Sequence, residues 1–225
     1  MNEPISSDQI EAGQAVYSQR TLWMYDWLVL GFSNTFVWKC PTRRLLRLYN
    51  EHVSGNHLDV GVGTGYFLDR CQFPGEHPRI TLLDLNENCL QATADRIRRY
   101  EPRTRRADLF EPLEFEGQER FESIAMNYVL HCLPGTIESK SIVLENLKGV
   151  LAPGGVLFGS TILSQGVQRG WMARRLMALY NSKQIFTNTA DSLAGLTTSL
   201  QSHFAEVDVE TAGCVAIFVA RNSVC

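Results

Sequence analysis

Apolar and polar positions along this chain switch between two periods. Short apolar runs of strand length alternate with longer stretches in which apolar residues recur every three or four positions. The runs predict strands over 57–60, 79–84, a short segment before Ala107, a fourth strand running into a turn within 121–132, and strands over 156–162, 205–210 and 214–220. Between them, helices are expected over 41–53, from Tyr66 onward, and over 87–99, 137–151 and 191–203, while 171–180, rich in Met172, Leu176, Met177 and Leu179, reads as an apolar wall for a ligand. Strands that alternate with helices build a parallel, doubly wound sheet. The last two strands have no helix between them, so they form an antiparallel pair that closes the sheet.

Residues 8–53 precede the first strand and must do something other than build the sheet. Asp8 can cap a helix, and 21–30 is apolar nearly all round, as a segment buried on more than one side would be. In the helix over 41–53, Leu45, Leu46, Leu48 and Tyr49 face inward and Arg43, Arg44 and Arg47 outward. In the helix over 87–99, Leu90, Ala94 and Ile97 share the inner face, with Arg96, Arg98 and Arg99 mainly solvated.

Composition narrows the function. With 225 residues the chain is long enough for one well-cored domain and a small cap. A net charge of −3 and a pI near 6.0 leave no basic footprint for a phosphate backbone, so no nucleic-acid partner is expected. The first residues lack a signal peptide's basic start, and no apolar run reaches membrane-spanning length. A cytoplasmic protein with no membrane partner is expected, and the sequence leaves a homodimer open. Six scattered cysteines without a Cys-x-x-Cys give no support for zinc or a redox pair, and no metal is expected.

The chemistry centres on Asp59-Val60-Gly61-Val62-Gly63-Thr64-Gly65. A strand that runs into glycines at alternate positions and then a helix makes a tight corner whose main chain a ligand can touch. A dinucleotide fingerprint, G-x-G-x-x-G, needs a third glycine where Tyr66 or Leu68 stands. The pattern Asp-x-Gly-x-Gly-x-Gly instead resembles motif I of the class I S-adenosylmethionine (SAM) dependent methyltransferases. That resemblance implies that Asp59 serves the ammonium end of the cofactor and that Gly61, Gly63, Thr64 and Gly65 lie against it. Asp84, at the end of the second strand, is placed for both ribose hydroxyls; Asn86 can cap the following helix in its stead. The resemblance further implies Leu85 on the adenine face, Asp108 and Leu109 at the adenine edge, and a polar strand end at Asn127 followed by Val129-Leu130-His131. It also covers the turn Leu151-Ala152-Pro153-Gly154-Gly155, and implies a Rossmann-like sheet of seven strands in the order 3-2-1-4-5-7-6.

Ahead of the motif, Tyr25-Asp26, Gly31-Phe32-Ser33 and Trp38-Lys39 look like the N-terminal segment of the quinone-biosynthesis C-methyltransferases. This implies an N-terminal helical cap, residues 1–53, that contributes to the acceptor pocket over a SAM-binding core, residues 54–225. Those enzymes' acidic-Leu-Pro-Phe stretch is replaced here by residues 108–120, so their substrate is not carried across.

The expected reaction is in-line displacement of the methyl group onto a small, mostly apolar or aromatic metabolite of a biosynthetic pathway, and alignment supplies much of the acceleration. His131 has the pKa class of a general base, should the acceptor have to lose a proton. Tyr17 and Tyr25 are alternatives, as proton acceptors or as electron-rich faces beside the sulfonium. Trp38, Tyr128, His131, Trp171 and Tyr180 are candidates for the acceptor pocket. Two other readings remain: a SAM-binding sensor or scaffold without turnover, and a nicotinamide-dependent oxidoreductase, which Tyr66 and Leu68 disfavour.

Overall fold

A computed structural model describes residues 26–223, with side chains from Phe32 onward. Asp8, Tyr17 and Tyr25, the side chains of the apolar stretch over 21–30, and Cys225 therefore lie outside the described residues.

Seven strands form one sheet: β1 (Asn56–Val60), β2 (Arg79–Asp84), β3 (Arg103–Arg106), β4 (Phe121–Asn127), β5 (Leu151–Ile162), β6 (Glu206–Ala212) and β7 (Val215–Arg221). Their order is β3-β2-β1-β4-β5-β7-β6, as the resemblance implied. The first five run parallel, and β7 lies antiparallel between β5 and β6. The helices are α1 (Thr42–His52), α2 (Tyr66–Arg70), α3 (Glu87–Arg96), α4 (Ser141–Gly149), α5 (Trp171–Ser182) and α6 (Leu193–His203), and a π-type helical segment, Asp26–Val37, precedes α1.

Because a sheet of this kind is covered on both sides, its central strands are buried on both faces. Every residue of β1 is buried. Its period-2 alternation sends Leu58 and Val60 into one core, with Ile124, Leu144, Leu157 and Phe218. His57 and Asp59 thereby face the other layer, where Tyr49, Phe67, Phe73 and Phe158 pack. Helix α1 reaches this layer because Leu45, Leu48 and Tyr49 fall on one helical stripe, while Arg43, Arg44 and Arg47 stay exposed.

Three local expectations are corrected. The helix over 87–99 stops at Arg96; a 3₁₀ turn, Arg98–Tyr100, tightens the chain so that it can turn back into β3. Arg96 is not mainly solvated: it donates to Asp69 at 3.3 Å and to the Thr64 carbonyl at 3.0 Å, bracing the loop beneath the glycines. Pro153-Gly154-Gly155 is a bulge inside β5 and not a turn ahead of it, since Leu151 already pairs with Phe121 and Val156 with Ser123.

Candidate active site

The site is assembled at the carboxyl ends of β1, β2 and β4, where ligands sit in open parallel sheets. Beyond Val60 the backbone turns through Gly61, Gly63 and Gly65, all with positive φ (65°, 55° and 70°). Their roles differ. A Cβ on Gly61 would collide with Val129, and one on Gly65 would lie 2.8 Å from Thr93 Cγ2, so these two let the corner pack. A Cβ on Gly63 would have no protein atom within 4 Å. Gly63 therefore borders open space, and its missing side chain leaves room for a ligand against the main chain.

Asp84, half-buried at the end of β2, faces the same loop. Its carboxylate accepts the Asn86 N–H at 2.9 Å and also lies within reach of the amides of Gly63, Val62 and Leu85. Burial outweighs these donors and pushes the carboxyl pKa up to about 6. The helix cap is Asn86, whose Oδ1 accepts the Asn88 N–H at 2.9 Å, so Asp84 is spared for another task. Leu85 is half-buried beside it. Asp108 Oδ1 accepts the Phe110 N–H at 3.0 Å, bending the chain after β3, and Leu109 is buried.

On the other side of the elbow, Asp59 is 3 % exposed and its Oδ2 takes a 2.7 Å hydrogen bond from the Tyr49 hydroxyl. Burial and the neighbouring carboxylate hold the Tyr49 phenol well above its ordinary pKa, so it remains a donor. Asn127, at the end of β4, accepts the Ser160 hydroxyl through Oδ1 at 2.8 Å. That bond assigns the amide orientation and turns Nδ2 away from Ser160; buried near the Tyr49 hydroxyl, Nδ2 has no partner at hydrogen-bond distance among the described residues. The open face at Gly63, the Asp84 carboxylate and the orphaned Asn127 donor together fit a ligand with both hydroxyls and charged ends, as SAM has.

Next to Asn127, Tyr128 holds a φ of +58°, uncommon for a bulky residue. An aromatic cluster follows. The His131 ring lies edge-on to Tyr128 at 5.8 Å and to Phe186 at 4.4 Å, and Phe186 also meets Trp38 at 6.0 Å and Tyr180 at 4.9 Å. Four of the five expected acceptor residues are thus brought together. Trp171, at the start of α5, is 64 % exposed and makes no described ring contact with them. The sequence reading missed Phe186 and Tyr49. Phe186 sits in a loop without periodicity; Tyr49 was read only as an inward core residue.

His131 is buried, and burial together with the Lys140 charge lowers its pKa to about 3. Its Nδ1 faces the Ile162 amide at 3.3 Å. A backbone N–H can only donate, so Nδ1 is the acceptor and the neutral ring carries its proton on Nε2. Among the described residues no group of three or more His, Cys, Asp or Glu is placed to hold a metal. Cys40, Cys71, Cys89 and Cys214 are buried small hydrophobes, and burial raises their thiol pKa values to about 11 or 12.

A family model described as "Methyltransferase domain" matches residues 58–157. The demethylluteothin O-methyltransferase of Streptomyces thioluteus is 39 % identical over 212 residues, covering 94 % of this chain and 92 % of that protein. The physcion biosynthesis cluster O-methyltransferase of Aspergillus chevalieri is 36 % identical over 94 % of this chain and 96 % of its own length. Among solved structures, the DhpI complex with S-adenosylhomocysteine (SAH) superposes with a TM-score of 0.68 at 17 % identity, over 97 % of this chain and 99 % of that one, and shares the fold.

Proposed function

The chain belongs to the SAM-dependent methyltransferases, and on that premise we propose that it transfers a methyl group to a hydroxyl oxygen of a small, mostly aromatic metabolite. The observation that carries the choice of acceptor is the aromatic cluster beyond the end of β4, buried at Trp38, His131 and Phe186 and half-buried at Tyr128 and Tyr180. Flat aromatic walls receive a flat apolar ring, and edge-to-face contacts favour it beyond the area buried. The choice of oxygen draws on the names of the two relatives, both O-methyltransferases aligned over nearly their whole lengths.

SAM supplies a methyl group already activated on a sulfonium. The chain's residues bind and align. Gly63 admits the cofactor to the main chain, the Asp84 carboxylate receives the ribose hydroxyls, and Asp59 meets the ammonium end. Leu85 covers one adenine face while Asp108 and Leu109 meet its edge, and Asn127 Nδ2 is a donor for the cofactor's polar end. Gly61, Thr64 and Gly65 set the loop's shape. On the resemblance alone, Tyr17 and Tyr25 are assigned to the cofactor side and the 1–53 segment to the acceptor cap; Trp38, inside that segment, supports the latter.

His131 departs from the general-base reading. With Nδ1 engaged by Ile162 and the ring held neutral, Nε2–H is the polar atom left for an acceptor, and it donates. A buried donor favours an oxyanion, so the acceptor hydroxyl enters ionised or loses its proton to water on entry. Trp171 is assigned to the mouth of the pocket, where it is exposed. A small-molecule acceptor is supported by the two O-methyltransferase relatives, and the net charge of −3 gives a nucleic-acid partner no support; a cytoplasmic location without a membrane partner is part of the same proposal, and no helix among the described residues is long and apolar enough to cross a membrane.

The test is methyl transfer from SAM labelled in its methyl group, against a panel of aromatic hydroxyls, amines and activated ring carbons. O-methyl products, identified by the methoxy carbon in NMR, are expected. Products methylated only on nitrogen or carbon would overturn the oxygen assignment, and SAM binding without turnover across the panel would favour the sensor reading.

A further inference from the structure

We infer that Tyr49, with His57 behind it, is a positioning residue for the amino-acid end of SAM, acting through Asp59; this rests on the cofactor site proposed above. Asp59 is a carboxylate in a fully buried strand. Among the described residues no Lys or Arg pairs with it. Burying a charge costs several kcal/mol unless hydrogen bonds and a counter-charge offset it. A strand needed only for the fold would be better served by an apolar residue at that position. The charge is retained two residues before the glycine elbow, where a cationic ligand group would complete it.

The surroundings hold that carboxylate in one orientation. The Tyr49 ring is stacked on Phe67 at 5.0 Å and 11°, and stands edge-on to Phe158 at 5.2 Å and 88°. Its hydroxyl therefore reaches Asp59 Oδ2 at 2.7 Å from a ring that has little room to turn. The same oxygen is faced by His57 Nε2 at 3.5 Å. His57 is itself fixed: its Nδ1 lies 2.7 Å from Ser123 Oγ, and the Ser54 amide and hydroxyl hold Ser123 at 2.9 and 2.8 Å. With Oδ2 held by the Tyr49 hydroxyl and faced at longer range by the His57 ring, the carboxylate keeps one orientation, and Oδ1 is the oxygen that meets the ammonium. Preorganisation of this kind lowers the ordering cost of binding.

The experiment compares two ligands by calorimetry. SAH carries the amino-acid end; 5′-methylthioadenosine keeps the adenosine and the sulfur but lacks that end. Tyr49→Phe retains the ring packing and removes one hydroxyl. The expected result is SAH affinity reduced about tenfold, with methylthioadenosine affinity unchanged within twofold. In turnover, KM for SAM rises while kcat is preserved. Ser123→Ala, which releases His57 without touching the Tyr49 ring, gives the same selective loss in smaller measure and serves if Tyr49→Phe does not fold. Equal losses for both ligands, or no loss for either, would overturn the inference. If the unaltered protein binds neither ligand, the cofactor site itself is wrong.

Discussion

Two glycines two positions apart in sequence, Gly61 and Gly63, do different work, and substitution separates them. Gly61→Ala places a methyl group against Val129, so the protein is destabilised by about 1–3 kcal/mol, read as a lowered urea midpoint and partly restored by adding Val129→Ala. Gly63→Ala has open space around its Cβ and bears only the left-handed backbone cost of about 1–2 kcal/mol, yet SAH binding is lost because the new methyl group occupies the cofactor's side of the loop. Asp84 gives a pH dependence. Its folded pKa is raised from 3.8 to about 6, so the folded apoprotein holds that proton more tightly than the unfolded chain. Its contribution to apoprotein stability is thus greatest at low pH and is lost as pH rises from about 4 through 6. Cofactor binding has the opposite sense, because ribose hydroxyls donate to the carboxylate. SAH affinity measured by calorimetry therefore falls below pH 6, by up to about tenfold per unit for one proton, and Asp84→Asn flattens the profile. The glycines, Asp59 and Asp84 were legible in the sequence because local spacing fixes them. Tyr49 and the tautomer of His131 were not, since each depends on a partner set by packing: Asp59 on a separate strand, and the Ile162 amide thirty-one residues on.

Elements divide in a similar way. Strand cores and helix faces followed the apolar period, and Arg79–Asp84 falls on the expected limits. Boundaries that depend on tertiary demands did not. Helix α4 begins only at Ser141 because Thr136 and Ser139 close a turn on each other, and Gly135 has a φ of +98°. At that helix start lies Lys140, fully buried, with Nζ 2.7 Å from Asp191 Oδ2 and 2.8 Å from the Thr187 carbonyl. Their pairing is not legible in the sequence, for a pair fifty-one positions apart leaves no local pattern. It ties α4 to the 187–191 loop; Thr187 follows Phe186 and donates its amide to the His131 carbonyl at 2.8 Å. Lys140→Met strands the Asp191 charge and is expected to cost about 3–5 kcal/mol in urea unfolding, while Lys140→Met with Asp191→Leu recovers most of that. A single variant as stable as the unaltered protein would show that the pair contributes nothing.

Across the whole molecule, the parallel sheet gathers residues from distant parts of the chain at the carboxyl ends of its strands: Asp59 from β1 and Gly63 from the loop after it, Asp84 from β2, Asn127 from β4 and Tyr128 just beyond it. Strands β2 and β4 flank β1 on opposite sides, and the reversal of connection there opens the crevice that the cofactor needs. Alternating strands and helices made this architecture legible from the chain, while the order of the strands came from the resemblance, because periodicity does not say which strand neighbours which. The proposed acceptor side was only half legible. Its aromatic residues were visible one by one, but their convergence around Phe186 depends on the loop that the Lys140–Asp191 pair holds.

The most direct measurement is a crystal structure of the protein with SAH. The account predicts the adenosine against Gly63, both ribose hydroxyls within hydrogen-bond distance of Asp84, the ammonium at Asp59, and the sulfur facing Tyr128, His131 and Phe186. SAH bound elsewhere, or bound here with Asp84 making no contact to the ribose, would contradict it.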